Sequence, residues 1–160
     1  MLVGTVTRVV DGDTLKVQLE SGPITVRLDS IDTPEHDQPW GPQAAEALSR
    51  RVAGRQVGLE VVTQDHYDRL VAVVYLGDDN VNAWLVQQGD AWAYRQYLSD
   101  DQYCLLEDQA RVARRGLWSL PADTWRAPWE WRAAERGGAS GFKDYSRETA
   151  ASCLATARRR

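Results

Sequence analysis

Asp11, Asp13, Asp32 and Glu35 lie in two short stretches, VVDGDTLKV (residues 9–17) and IDTPE (residues 31–35). Asp13, Asp32 and Glu35 would converge with the Thr33 carbonyl if both loops open at one end of a sheet. Such an all-oxygen set suits a hard cation of the Ca²⁺ type, with water completing the coordination. Neither loop holds a soft ligand, and His36 alone does not make a zinc set. Each cluster also has a plainer reading. Asp-Gly between alternating strands is a hairpin signal, and Thr33-Pro34-Glu35 reads as an N-cap, N1 and an acid in a first helical turn. Arg27 and Arg69 add a second chemistry. Guanidinium groups facing a metal site stabilise the negative charge that grows on a phosphodiester during displacement. Either arginine alone is the ordinary partner of a surface ion pair.

The elements that must position these residues begin with strands. LKVQLE places Leu15, Val17 and Leu19 on one face, and ITVRLD places Ile24, Val26 and Leu28 on one face with Arg27 on the other. SGP (21–23) reads as the turn between them. With GTVTRVV, VGLEVV and LVAVVYL the strand candidates number five, enough for a small Greek-key barrel. Three helices are predicted. GPQAAEALSRRVAG carries Ala45, Leu48 and Val52, and stops at Gly54. NVNAWLVQQG has Asn80 as N-cap, Val81, Trp84 and Leu85 as its apolar face, and Gly89 as its stop. DDQYCLLEDQARVARRG carries Tyr103, Leu106, Ala110 and Ala113 as a stripe, and ends at Gly116.

With 160 residues, 43% hydrophobic and 26% charged, the chain has the make-up of a single soluble domain. No apolar run reaches the ~18 residues needed to cross a bilayer, and MLVGTVTRVV does not read as a secretory leader. Net charge is −4, unlike the basic balance of a protein that binds nucleic acid by charge alone. Residues 1–120 hold 11 Lys/Arg against 18 Asp/Glu, whereas residues 121–160 hold 8 against 5. From Pro121 the chain reads as an extended arm, with RGGASG (136–141) as a flexible joint and a short helix from Ser146. Trp125, Trp129 and Trp131 either pack this arm on the barrel or stack exposed bases. Arg158, Arg159 and Arg160 either add phosphate affinity or form a solvated end. Cys104 and Cys153 pair only in an oxidising compartment.

The ordered set VVDGDTLKV, TVRL, IDTPE, WGPQA, HYDRLVAVVY, VNAWLVQQGDAWAY and RRGLW resembles the staphylococcal nuclease (thermonuclease) family over about residues 3–120. The resemblance implies an α+β fold, a five-stranded OB-type barrel with three helices, in which residues 1–120 form the nuclease domain and 121–160 a C-terminal arm on or beside it. It implies Ca²⁺-dependent cleavage of DNA and RNA with little sequence preference, by a monomer that needs no membrane. By matched position, Asp13 and Asp32 would ligate Ca²⁺ through side chains and Thr33 through its carbonyl, with Asp11 a supporting acid. Glu35 would activate the attacking water, and Arg27 and Arg69 would clamp the phosphate. Tyr67 and Tyr94 would contact the nucleotide, or else be rim or core aromatics of the barrel. Many bacterial relatives are exported, so the resemblance favours a periplasmic or secreted protein, in which a Cys104–Cys153 bond would fasten the arm to the third helix.

The run His66-Tyr67-Asp68-Arg69 departs from the family, which commonly has a basic residue and a glycine around this tyrosine. Asp68 would set a negative charge beside a phosphate-binding arginine, and HDQPW after Glu35 lacks lysines. Weaker binding of long polyanions is the expected consequence. A non-catalytic OB-type module that binds nucleic acid or protein is the alternative, against which all the acids and both arginines speak.

Overall fold

The computed structural model describes residues 1–137 and 141–159. In chain order the elements are β1 (Leu2–Asp11), β2 (Thr14–Leu19), β3 (Gly22–Leu28), β4 (Ile31–Asp32), α1 (Gly41–Val52), β5 (Gln56–Gln64), β6 (Leu70–Leu76), β7 (Asp79–Asn80), α2 (Val81–Gln87), β8 (Trp92–Ala93), α3 (Gln102–Val112), α4 (Pro128–Glu135) and α5 (Ala150–Thr156). The sheet runs β3-β2-β1-β5-β6-β7, and a parallel pairing of β3 with β6 closes five strands into a mixed barrel. The predicted alternation fills it: Leu15, Val17, Val26, Leu28, Val57 and Leu59 are all buried. Leu48 of α1 and Leu85 of α2 cap the same core. Truncating a buried leucine such as Leu48 to alanine costs about 2–5 kcal/mol.

The helices follow their predicted signals with local differences. Asn80 caps α2, its Oδ1 accepting the Ala83 N–H at 2.9 Å. In α1 the buried stripe is Ala44, Leu48 and Val52, one turn apart each, so Ala45 is displaced to a half-buried position. In α3 the helix ends at Val112 and Arg114 takes a left-handed φ of 55°, which leaves Ala113 outside and exposed. Its buried face includes Glu107 and Arg111, polar positions that apolar periodicity does not reveal. Glu107 accepts from the Ala93 N–H at 2.9 Å and pairs with both Arg95 (2.5 Å) and Arg111 (3.0 Å). The burial of this carboxylate is thus matched by two cations and a backbone donor, without which it would be prohibitive. The first turn also shifts: Leu19 faces Gly22, so the loop is Glu20–Ser21 and Gly22-Pro23 opens β3.

The segment after Pro121 is not an extended arm. It forms α4 and α5: α5 packs on α3, and α4 lies against Trp92, Tyr94 and Asp32. Helix α5 begins at Ala150 rather than Ser146, because Thr149 caps it by accepting from the Ser152 N–H at 3.2 Å. Trp125 is buried, and Trp129 sits between Trp92 (ring centroids 5.6 Å) and Tyr94 (5.5 Å, stacked). Trp131 is half-buried, its indole N–H donating to Asp37. Trp125 and Trp129 thus pack the segment on the barrel. Arg111 donates to the Tyr145 carbonyl at 2.8 Å, and Cys104 of α3 is disulfide-bonded to Cys153 of α5 with Cα atoms 5.7 Å apart. Of the joint expected at 136–141, residues 138–140 lie outside the described residues, as does Arg160.

Candidate active site

The two acidic loops meet. Asp11 pairs with Thr14 across a hairpin, so Gly12 and Asp13 form a two-residue loop. A Cβ on Gly12 would stand 2.6 Å from Thr33 Oγ1, so the turn needs a glycine to let the IDTPE segment lie against it. Asp13 Oδ2 then accepts from both the Thr33 N–H and the Thr33 hydroxyl at 2.9 Å. Thr33 thus does not cap a helix. The chain turns instead through Gln38, whose side chain accepts from the Glu35 N–H at 3.0 Å, and α1 starts only at Gly41.

Register brings Arg27 to the same point. It lies opposite Thr14 across the β2–β3 ladder, next to the hairpin loop. Its guanidinium donates to the Leu28 and Ile31 carbonyls (2.9 and 3.0 Å), and one nitrogen stands 3.3 Å from Asp13 and 3.2 Å from Asp32. Asp32 is fully buried in β4, where pairing with Trp92 of β8 sets Tyr94 close by. Arg69 precedes β6, whose parallel pairing with β3 directs it toward the same cleft. That cleft, of about 650 Å³, is lined by Asp11, Asp13, Arg27, Glu35, Tyr67, Arg69 and Tyr94 among others. Asp32 and Thr33 lie just behind its wall, both buried. Tyr67 is 69% exposed on the rim, and Tyr94 is half-buried.

Burial shapes the charges. It pushes Asp11 up to about 7, helped by the neighbouring Asp13 charge. Burial would raise Asp13 too, but Arg27 and the Thr33 donors hold it below the usual carboxylate range. Burial lifts Asp32 to about 6 against the pull of two arginines. Glu35 is raised as well, by burial opposed by a nearby guanidinium, which moves a cleft carboxylate toward the range of a general base.

That guanidinium comes from outside the motifs that carry the resemblance. It belongs to Arg132 of α4, which pairs with Asp32 at 2.9 and 2.8 Å, approaches Glu35 at 3.4 Å and donates to the Tyr94 hydroxyl at 3.2 Å. The spacing of Arg132 and Arg136 on one helical face in WEWRAAER was the available signal. The carboxylate on Arg69 is that of Asp65, not Asp68. Asp65 accepts from Arg69 Nε at 2.7 Å and from the Tyr67 and Arg69 amides, while Asp68 occupies a left-handed turn position with φ 62°.

Two comparisons bear on this site. A family model described as Staphylococcal nuclease homologue matches residues 25–120. The chain belongs to the staphylococcal nuclease family. It is 40% identical over 130 residues to an "Uncharacterized endonuclease" of Escherichia coli O157:H7, covering 81% of this chain and 84% of that one. It is 39% identical over 144 residues to the "Micrococcal nuclease" of Shigella flexneri, covering 83% and 82%. A third relative, the "Probable staphylococcal-like nuclease CAN1" of Oryza sativa subsp. japonica, is 36% identical over 113 residues, covering 71% of this chain and 34% of that one. The staphylococcal nuclease match takes in Arg27, Asp32, Thr33, Glu35, Tyr67, Arg69 and Tyr94. Asp11 and Asp13 precede it, and Arg132 follows it.

Proposed function

We propose that this chain is a Ca²⁺-dependent nuclease that hydrolyses DNA and RNA with little sequence preference, acting as a monomer. Family membership and the nuclease names of its relatives support a nuclease. The observation that carries the finer reading is the meeting of Asp13 and Asp32 on a single nitrogen of Arg27, at the wall of a cleft that holds Glu35 and Arg69.

The donor set fits a hard cation in its chemistry. Asp13 and Asp32 are buried carboxylates that converge, with Asp11 alongside, and every side-chain donor is oxygen. Among the described residues no three His, Cys, Asp or Glu side chains are grouped tightly enough to enclose a metal. Two carboxylates, the Thr33 carbonyl and water would therefore hold the ion. When bound, Ca²⁺ would supply Lewis-acid polarisation of the phosphoryl oxygen.

The side chains divide the rest. Glu35 takes the proton of the attacking water as its oxygen bonds to phosphorus in line with the leaving oxygen. Arg27 and Arg69 donate to the equatorial oxygens, where charge accumulates. Following the family, the 5′ P–O bond breaks, that oxygen takes up a proton, and a 3′-phosphate remains. Tyr67 and Tyr94, on the rim and floor of the cleft, contact the nucleotide.

The test is hydrolysis of denatured DNA and of RNA with Ca²⁺ or excess EGTA, for the wild type and Glu35→Gln. Cleavage should require Ca²⁺ and fall by about 10²–10⁴-fold in the variant. Binding of an oligonucleotide without any cleavage would instead favour a non-catalytic module.

A further inference from the structure

We infer that α4 is part of the substrate-binding surface: Arg132, with Arg136 one turn further on, adds phosphate-binding cations to Arg27 and Arg69 of the barrel. This rests on the nuclease reading above and names where that site holds its polyanion.

Charge placement carries the argument. Four carboxylates line the cleft among the described residues, those of Asp11, Asp13, Glu35 and Asp65, with Asp32 behind them. Four arginines oppose them, Arg27, Arg69, Arg132 and Arg136, and two of these four come from α4 and the residue that ends it. Without Arg132 and Arg136 the walls would hold two arginines against four acidic side chains, in a chain already at −4. Such a cleft repels a polyanion. The HDQPW loop after Glu35 contains no lysine or arginine, so it offers no substitute.

Geometry supports the same role. Arg132 is held where a phosphate beside the metal carboxylates would meet it. Its guanidinium and that of Arg27 share one oxygen of Asp32, and both lie 5.8 Å from the Tyr94 ring centroid. Arg132 Nη1 and Nη2 donate to Asp32, to Glu35 and to the Tyr94 hydroxyl. Of its five N–H donors a phosphate would therefore meet Nε–H, or take the place of Glu35 at its long 3.4 Å contact. The side chain stays 27% exposed toward the cleft. Helix α4 is itself fixed in place. Gln38, which braces the Glu35 turn, donates to the Arg126 carbonyl at 2.7 Å, and Trp129 stacks on Tyr94. The cations are thus presented by a pinned helix and not by a loose tail.

The experiment measures binding of a fluorescein-labelled single-stranded oligonucleotide in EGTA across a salt series, where no Ca²⁺ is free for cleavage. Wild type, Arg132→Gln, Arg136→Gln and the double variant are compared, with Arg50→Gln as a control of equal charge change on α1. Each α4 substitution should weaken binding several-fold and lower the slope of log K against log salt by about 0.7, the value for one phosphate contact on a single strand. With Ca²⁺ added, KM should rise more than kcat falls. Arg136 is exposed, so Arg136→Gln reads the proposal even if Arg132→Gln folds poorly. Unchanged binding and slope in Arg136→Gln would overturn the inference. So would tighter binding in folded Arg132→Gln, which would make Arg132 a plug, or an equal loss in Arg50→Gln, which would make the effect one of net charge. A wild type that binds with these slopes but never cleaves would sink the nuclease reading and leave this one standing.

Discussion

Arg132 and Asp32, one hundred residues apart in the chain, meet as fork on fork, Nη1 at 2.9 Å from Oδ1 and Nη2 at 2.8 Å from Oδ2. The carboxylate so held is fully buried and is a proposed Ca²⁺ ligand. On that proposal, a cation from the C-terminal segment and a cation from solvent would compete for one group.

That competition has a sign. Arg132→Gln removes a positive charge beside the proposed metal position, and should tighten Ca²⁺ binding on the order of tenfold. Titration calorimetry of the two proteins without substrate reads this directly; equal affinities would place the ion away from Asp32. The oligonucleotide should bind more weakly in the same variant, so the two ligands respond in opposite directions.

Arg27 and Arg69 should separate by stability. Arg27 is largely buried against Asp13 and Asp32, and Arg27→Ala leaves those carboxylates short of a partner, at about 3–5 kcal/mol. Arg69 is about a third exposed in its pair with Asp65, and Arg69→Ala should cost at most about 1 kcal/mol. Both variants should lose activity by at least about 10²-fold. Denaturant unfolding beside a cleavage assay distinguishes the two. Equal destabilisation would show that the Arg27 pairs contribute little.

Asp90 offers a pH test away from the site. Burial pushes its carboxyl up to about 6, opposed by the Trp40 indole N–H at 2.9 Å. The folded pKa lies above the unfolded one, so its contribution is fully present below about pH 4 and is lost as pH rises through 6. Asp90→Asn keeps an acceptor for Trp40 and removes the charge. It should match the wild type at pH 4 and exceed it at pH 8 by about 2 kcal/mol, or about 4–8 °C in Tm. Melting curves across pH that stay parallel would refute this.

Reduction should act on the C-terminal segment first. The Cys104–Cys153 bond closes a loop of 49 residues, which corresponds to about 4 kcal/mol in the chain-entropy picture. Cys104→Ser/Cys153→Ser should lower Tm by about 8–16 °C. Hydrogen exchange should show α5 losing protection before the barrel strands. Uniform loss across the molecule would mean that the segment and the barrel unfold as one unit.

The sequence by itself determined the barrel and half of the site. Period-two alternation specifies which face of each strand is buried, and Asp-Gly specifies the hairpin, so Asp13 and Arg27 follow from local rules alone. IDTPE was legible as an acidic cluster for the same reason. Only the tertiary structure decided what those acids face. Arg132 and Arg136, like Glu107 and Arg111, share a helical face, but that spacing does not say what they meet, because a charge paired in the interior looks, in one dimension, like a charge facing water. The tail read as an extended arm because its helices are short and its tryptophans break the amphipathic pattern. Their stability comes from burial against Trp92, Tyr94 and α3, long-range contacts that no local window of sequence contains.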